Sequence, residues 1–273
     1  MQIIAVGDNC IDVYKHLKKG FPGGGAVNFA VHASRLGAET AYVGAVGNDY
    51  FGKSLREALI DEKVDITKLA VKEGATAAAY IELIDGDRHF TGSDHGVRNQ
   101  FCVNESTNLM IKGADLVHTT LDGNVDEHIA MWNSLGLTIS YDFSHRATED
   151  QLNLLSFIDI AFFSGQHLDP LKVKDQLKYL SNMGASLVVI TLGERGSVAI
   201  HNGVIYEQPA KDIKPVDTLG AGDSFMAGFC YSYLKEREVD KALSFATEVA
   251  TKTCGYFGAF EHNIDLRGEN TIV

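Results

Sequence analysis

The chain has 273 residues, 45% of them hydrophobic, and its formal net charge is -12. This length and hydrophobic content can bury one large core, which predicts a single domain over residues 1–273. The acidic balance argues against a nucleic-acid partner, because phosphate backbones are bound mainly through clustered lysines and arginines.

Short apolar runs alternate with amphipathic segments along most of the chain. The runs are typical of strands buried on both faces of a parallel sheet, and they cover residues 3–6, 42–46, 116–119, 137–141, 160–163 and 187–191. Apolar residues recur at helical spacing in segments 26–36, 53–62, 125–135, 148–155 and 173–183. The alternation predicts a three-layer α/β/α fold with a mainly parallel central sheet and ligands at the carboxyl ends of its strands.

Two segments depart from this alternation and predict a small separate β-sheet. Residues 76–83 and 88–91 flank the turn Asp85-Gly86-Asp87 and predict a hairpin. Residues 13–21 are strand-like and can join the same sheet. We therefore expect segments 13–21 and 76–95 to form a lid over a pocket. Because exposed lid strands can pair across a twofold axis to cover their edges, we also expect a homodimer.

The cysteines and the N-terminus suggest a compartment. Cys10, Cys102, Cys230 and Cys254 are widely spaced and form no metal-ligand pattern, so we expect reduced thiols that act as small buried hydrophobes. No run approaches the about 20 apolar residues that a membrane span requires. The opening run MQIIAVG also lacks a targeting pattern. We expect a cytoplasmic protein with no membrane partner.

The most informative motif is DTLGAGDSF at residues 217–225, followed by a helix-like run at 226–234. Its small residues let backbone N–H groups converge on one point, and the positive end of the following helix adds to the attraction for an anion. A carboxylate beside a bound phosphate, here Asp223, is electrostatically unfavourable, so its presence there indicates a function. Accepting the proton of an attacking hydroxyl is such a function.

Other interpretations of this motif are weaker. A glycine-rich helix start with an acidic cap is common in α/β proteins and would explain G-x-G-D alone. The chain contains no Walker loop, and no strand runs into a G-x-G-x-x-G dinucleotide fingerprint. The acidic net charge does not exclude ATP, since backbone N–H groups, a helix N-terminus and Mg²⁺ can neutralise phosphates. The motif therefore favours a kinase over a dehydrogenase.

DTLGAGDSF resembles the C-terminal signature of the ribokinase-like, or phosphofructokinase B type, carbohydrate kinases. The resemblance extends to the glycine block at residues 23–28, to Arg35-Leu36-Gly37 and to the stretch 46–49 with Gly52, so nearly the whole chain follows the family order. It implies a ribokinase-like fold with a small β lid. Within the family, GDNCIDVY at residues 7–14 and the turn at Asp87-Arg88 most resemble the fructoselysine 6-kinases, which phosphorylate a sugar carried on an amino-acid amine.

The resemblance also implies roles for individual residues. The aspartate that matches Asp223 is the catalytic base in the family, and the backbone of Gly220, Ala221 and Gly222 forms an anion hole. The implied sugar-binding residues are Asp12, Gly24, Gly25 and Asn28. Arg88 is either a ligand for the far end of the substrate or a solvated turn residue. The implied nucleotide-binding residues are Thr191, Gly193 and Gly196, with Gly255 and Gly258 from the region 251–259.

The metal sites are less defined. The family implies ATP with Mg²⁺, but this chain has Ser164-Gly165-Gln166-His167 where many relatives carry N-x-x-E, so we predict Mg²⁺ dependence without assigning its ligands. Asp217 matches the monovalent-cation site of some relatives, which implies potassium activation; the alternative is that Asp217 only positions the anion-hole loop. Asp142, in the stretch YDFSHR, resembles the aspartate in the D-P-N-x-R motif of relatives, and we expect a structural or supporting role for it rather than direct catalysis.

The expected reaction is ATP-dependent phosphorylation of a hydroxyl on a sugar or sugar-amine conjugate, with the 6-position of fructoselysine or a related fructosamine favoured. Kinases for fructose, ribose, a nucleoside or a vitamin precursor are alternatives. A sugar or nucleotide sensor without catalysis is a further alternative, although a pure binder has no need of Asp223. A free amine on the substrate would favour a carboxylate near the lid, with Glu82, Asp87 and Asp94 as candidates.

Overall fold

A computed structural model of the protein describes residues 1–84 and 87–266, without the side chains of residues 83–84 and 87–90. The strands are β1 (Gln2–Val6), β2 (Cys10–Tyr14), β3 (Lys19–Gly23), β4 (Glu39–Val43), β5 (Ala45–Gly47), β6 (Ala70–Lys72), β7 (Ala78–Ile84), β8 (Asp87–Asp94), β9 (Leu116–Thr120), β10 (Ile139–Asp142), β11 (Ile160–Ser164), β12 (Leu187–Thr191), β13 (Ser197–His201), β14 (Val204–Gln208) and β15 (Ile264–Asp265).

The α-helices are α1 (Gly25–Arg35), α2 (Tyr50–Asp61), α3 (Glu105–Ile111), α4 (Asp126–Ser134), α5 (Glu149–Leu152), α6 (Val173–Asn182), α7 (Ala221–Glu236) and α8 (Val239–Thr253). Short 3₁₀ helices cover Lys15–Leu17, Gly96–Gln100, Asn153–Phe157, Pro170–Lys172 and Gly193–Arg195. The helix predicted over 148–155 is therefore shorter than expected, because its second half continues as a 3₁₀ helix. No described helix is both long and apolar enough to cross a membrane.

The main sheet has eight strands in the order β14-β13-β12-β11-β10-β9-β1-β4. Strands β12 to β4 in this order are parallel, and β13 and β14 extend one edge antiparallel. One apolar cluster joins the sheet to α1, α7 and α8, and a second cluster joins the opposite face to α4 and α6. The predicted three-layer α/β/α fold with a mainly parallel sheet is confirmed.

One predicted strand is divided. The run 42–46 is not a single strand, because β4 ends at Val43 and β5 begins at Ala45 and pairs with β6 in a separate two-stranded sheet. Gly44 lies at the break, where a Cβ atom would be 2.3 Å from the hydroxyl of Tyr42. Only glycine fits this close approach without moving Tyr42.

A second sheet has five strands in the order β15-β3-β2-β7-β8 and includes the predicted hairpin, β7 and β8. Segment 13–21 also joins this sheet, but as the end of β2 and most of β3 with a 3₁₀ turn between them. None of the four cysteines forms a disulfide; Cys230 is buried as expected, whereas Cys102 is exposed.

Candidate active site

Polar side chains converge where parallel strands of the main sheet reach their carboxyl ends. Asp8 follows β1, and its carboxylate accepts hydrogen bonds from the N–H groups of Gly25 at 2.6 Å and Ala26 at 3.2 Å and from the hydroxyl of Thr120 at 2.8 Å. It therefore satisfies the N-terminus of α1, which has glycine rather than a polar cap residue. This arrangement fixes the start of α1 against the carboxyl ends of the parallel strands.

The contact that defines the site joins the two glycine-rich motifs. Asp223 lies in the first turn of α7, and the side-chain amide of Asn28 on α1 donates a 2.7 Å hydrogen bond to its Oδ2. The predicted base and a predicted sugar-binding residue, 195 positions apart in sequence, are thus neighbours. The Oδ1 atom of Asn28 is buried and has no hydrogen-bond partner among the described residues.

The electrostatics of the site raise carboxylate pKa values. Burial raises the pKa of Asp223 to about 7; the bond from Asn28 opposes this shift, and the charges of Asp142, Asp8 and Asp12 add to it. Burial also raises the pKa of Asp142 to about 6, with Asp8 among the contributing charges. A carboxylate with a pKa near neutrality accepts a proton more readily than an ordinary aspartate, as a general base requires.

The glycine loop, residues 217–222, is held in place by several contacts. Gly220 has φ of 73°, and a Cβ atom on it would lie 2.5 Å from the Cβ of Ala259. The carboxylate of Asp217 accepts hydrogen bonds from Leu219 N–H at 2.9 Å, Gly258 N–H at 3.1 Å and the Tyr14 hydroxyl at 2.9 Å. Asp217 thereby ties the glycine loop to the second sheet and to the chain after α8.

The other predicted anion-hole and nucleotide residues occupy two places. Ala221 and Gly222 begin α7, and a Cβ atom on Gly222 would meet nothing within 4 Å. Thr191 ends β12, and Gly193 and Gly196 lie in the turn from β12 into β13. This turn is at the same carboxyl end of the sheet as Asp142, which ends β10, two strands away. Gly255 and Gly258 belong to the C-terminal loop, residues 254–260. Of these two, Gly258 reaches the glycine loop through its bond to Asp217.

On the sugar side, the predicted residues lie together. Asp12 in β2 is buried, and the position that a Cβ atom of Gly23 would occupy is 2.4 Å from Asp12 Oδ2 and 3.6 Å from Asn28 Oδ1. Gly24 has φ of 103° and approaches the backbone of Asn9 closely, so a side chain there would collide. Arg88 belongs to β8, but its side chain lies outside the described residues.

Residues 11–265 match the family described as pfkB family carbohydrate kinase. The chain belongs to the pfkB family of carbohydrate kinases. It is 35% identical over 275 residues to the fructosamine kinase FrlD of Bacillus subtilis (strain 168), covering 99% of this chain and 96% of the relative. It is also 34% identical over 260 residues to the fructoselysine 6-kinase of Escherichia coli (strain K12), covering 94% of this chain and 99% of the relative.

The fold of this kinase agrees with its family. A solved structure of Arabidopsis thaliana ribokinase complexed with ribose and ATP has a TM-score of 0.83 at 22% identity and covers 95% of this chain and 94% of that chain. This likeness confirms the predicted ribokinase-like fold, and the family match with the two relatives above confirms the prediction of a carbohydrate kinase. The roles assigned to individual site residues stay predictions.

Sequence reasoning on this kinase missed Arg98, which lies on the 3₁₀ helix Gly96–Gln100. An Nη2 atom of Arg98 is 2.6 Å from His95 Nδ1, and its Nε is buried without a hydrogen-bond partner among the described residues. Burial is the main cause of a raised pKa of Cys10, and the charge of Arg98 opposes that rise. Cys10 is two residues from Asp12. A lone arginine in a polar segment gave no sequence signal of this proximity.

The departure at residues 164–167 also has a structural counterpart in this kinase. Ser164 and His167 line a cavity of about 120 Å³ together with Ser144 and His145, and the rings of the two histidines are 6.0 Å apart between centroids. The described residues contain no group of three or more His, Cys, Asp or Glu side chains that could hold a metal ion. The place of N-x-x-E is therefore taken by groups that carry no fixed negative charge.

Proposed function

We propose that this kinase transfers the γ-phosphoryl group of ATP to the 6-hydroxyl of a fructosamine, such as fructoselysine, with Asp223 as the general base. The proposal rests above all on the contact between Asn28 and Asp223. It puts a carboxylate with a raised pKa beside a buried amide oxygen that has no described partner. A sugar hydroxyl that donates to that oxygen would lie within reach of the base.

The proposed reaction is an in-line phosphoryl transfer. The sugar hydroxyl loses its proton to Asp223 while its oxygen forms a bond to the γ-phosphorus, and the bond from that phosphorus to the bridging oxygen of ADP breaks. We assign the backbone N–H groups of Gly220, Ala221 and Gly222 to the phosphoryl oxygens on which charge accumulates. A preorganised donor of this kind is worth about 3 kcal/mol. Thr191, Gly193, Gly196 and Gly255 are proposed on the nucleotide side.

We propose that the nucleotide binds with Mg²⁺. Burial raises the pKa of Asp142 and Asp223, and the charge of Asp8 adds to both shifts. A divalent cation would relieve this repulsion between carboxylates. Mg²⁺ in nucleotide sites commonly uses one or two carboxylates, substrate phosphates and several waters, so a larger ligand cluster is not required. Asp142 at the sheet edge is the proposed carboxylate, and Mg²⁺ would there neutralise charge on the transferred group.

We propose that Asp217 mainly positions the glycine loop. Its carboxylate accepts three hydrogen bonds, from two backbone N–H groups and the Tyr14 hydroxyl, which supports this role over that of a potassium ligand. Replacing potassium by sodium in the assay tests the alternative. A large loss of rate in sodium would support a monovalent-cation site.

The proposed substrate has a sugar end and an amino-acid end. Two relatives with 34–35% identity are named a fructosamine kinase and a fructoselysine 6-kinase. Arg98 supplies a cation near Cys10 and is the proposed partner of the amino-acid carboxylate. Three carboxylates are predicted as partners for a free amine of the substrate. Asp94 accepts a hydrogen bond from Gly96 N–H at 2.8 Å, whereas Glu82 is exposed on β7. The side chain of Asp87 lies outside the described residues.

We further propose a cytoplasmic homodimer formed through strands of the second sheet. The support is the position of β8 at the end of the sheet order, where its outer edge can pair with a second copy. Light scattering of the purified protein measures the mass directly. A monomeric mass at assay concentrations would exclude this assembly.

The test is ADP release from Mg·ATP with a panel that contains fructoselysine, other fructosamines, fructose, ribose and nucleosides. Turnover confined to fructosamines supports the proposal. Efficient turnover of a free sugar or nucleoside instead would retain the kinase class but discard the fructosamine assignment. Mass spectrometry of the product after periodate cleavage distinguishes phosphate on the 6-hydroxyl from phosphate at other positions.

A further inference from the structure

One face of α1 carries three polar residues at positions i, i+4 and i+7, and each makes a contact near the site. Asn28 donates to Asp223 at 2.7 Å, as described above. One turn later, the Nε2 atom of His32 is 2.9 Å from the carbonyl oxygen of Ala259. After another turn, Nη2 of Arg35 donates to the carbonyl oxygen of Phe260 at 2.7 Å. Residues at this spacing lie on one side of a helix, so α1 faces both Asp223 and the C-terminal loop.

The C-terminal loop in turn sets the position of the glycine loop. A Cβ atom on Gly220 would be 2.5 Å from Ala259 Cβ and 2.8 Å from Ala259 Cα, so the two backbones are in close contact. The preceding Gly258 donates its N–H to Asp217. A shift of Ala259 therefore displaces Gly220, the residue from which α7 begins.

His32 is suited to hold Ala259 because it is buried and neutral. His32 is only 4% exposed. Burial lowers the pKa of His32 to about 4, and the hydrogen bond with the Ala259 carbonyl opposes that shift. Arg35 lowers the pKa further, and Glu62 raises it. A neutral imidazole has one N–H, and a carbonyl partner requires that this hydrogen be on Nε2. The hydroxyl of Tyr256 is a more distant second donor to the same oxygen, at 3.5 Å.

We propose that His32 is a positioning residue: it holds the C-terminal loop against Gly220, so that one face of α1 aligns both the general base and the anion hole. This inference rests on the proposed function, since it takes the glycine loop as the anion hole. Its effect is on the transition state, because the displaced N–H groups act on charge that develops during phosphoryl transfer.

The experiment compares His32→Ala with His32→Gln in the full-length protein. Loss of the donor in His32→Ala is expected to lower kcat about 10- to 100-fold with little change in the KM for the sugar, since an entire anion-hole donor is worth about 10²–10³. Glutamine can put an amide N–H near the position of Nε2, so His32→Gln should recover most of the rate. Hydrogen exchange is a second measurement: His32→Ala should speed exchange in both loops, 217–222 and 254–260.

His118→Gln is the matched control, because His118 is also a buried histidine with a lowered pKa. Its ring stacks on Phe29, and its Nδ1 atom is 2.8 Å from the hydroxyl oxygen of Ser140, so the hydrogen bond given for its side chain goes to β10 rather than to either loop. This variant should lose stability but keep its kcat. A wild-type kcat in folded His32→Ala, or an equal kcat loss in His118→Gln, overturns the positioning role. An inactive wild type would instead refute the proposed function, and the exchange measurement would then still test the contact between the loops.

Discussion

Replacing Asp223 by asparagine is expected to make the kinase slower and, at pH 8, more stable. Removing a general base costs about 10²–10⁴ in rate, so kcat should fall by that factor. Stability should increase because the folded protein raises the pKa of Asp223 from 3.8 to about 7. At about 1.36 kcal/mol per pH unit, this difference sets an upper limit of about 4 kcal/mol at high pH. Partial exposure of Asp223 and relaxation of its neighbours reduce the expected gain to about 1–3 kcal/mol.

The sign of this effect depends on pH. Because the pKa of this acid is higher in the folded state, folding binds protons between pH 3.8 and about 7, and wild-type stability falls as the pH rises through that window. The stability difference between Asp223→Asn and wild type should therefore be small near pH 4 and full above pH 7. Urea unfolding at pH 5 and pH 8 measures it.

Kinetics give an independent check. In the wild type, kcat/KM reports the free enzyme and should rise with pH to a plateau above about 7, as Asp223 loses its proton. Asp142→Asn tests the electrostatics: it removes a neighbouring charge, so it should move the midpoint of this profile to lower pH, whatever rate it loses as the proposed Mg²⁺ ligand. A rate for Asp223→Asn within tenfold of wild type would refute the base assignment. Equal stability of the two proteins at pH 8 would refute the electrostatic argument.

Two further predictions concern the glycine loop and the substrate. Gly220→Ala should lower the free energy of unfolding by about 1–2 kcal/mol because of its left-handed backbone alone, and by more because the new Cβ atom collides with Ala259. In the control Gly222→Ala, the new Cβ atom meets open space, so this variant should unfold like wild type in urea. Arg98→Gln should lower kcat/KM about 10- to 100-fold on fructosylglycine but little on its uncharged amide, because only fructosylglycine has a carboxylate to bind. The control is Arg56→Gln, since Arg56 is exposed. Equal losses on both substrates would contradict carboxylate recognition by Arg98.

Much of the fold followed from local patterns. Apolar runs of four or five residues, separated by amphipathic segments, identified six strands of the main sheet, because a strand covered on both faces needs apolar side chains at every position. The glycine loop was also identified from sequence, since its chemistry depends on adjacent backbone groups. The antiparallel strands β13 and β14 were not predicted, and neither was the break at Gly44, which depends on the distant hydroxyl of Tyr42.

The sequence by itself determined the fold class, the family and the two glycine-rich motifs, because each is encoded in short stretches whose spacing and composition carry physical meaning. Only the tertiary structure showed that Asn28 contacts Asp223, that His32 reaches Ala259 and that Arg98 lies near Cys10. These pairs are far apart along the chain, so their meeting depends on how the helices pack on the sheet. No local pattern contains that information, because a hydrogen bond depends on distance in space rather than on separation in sequence.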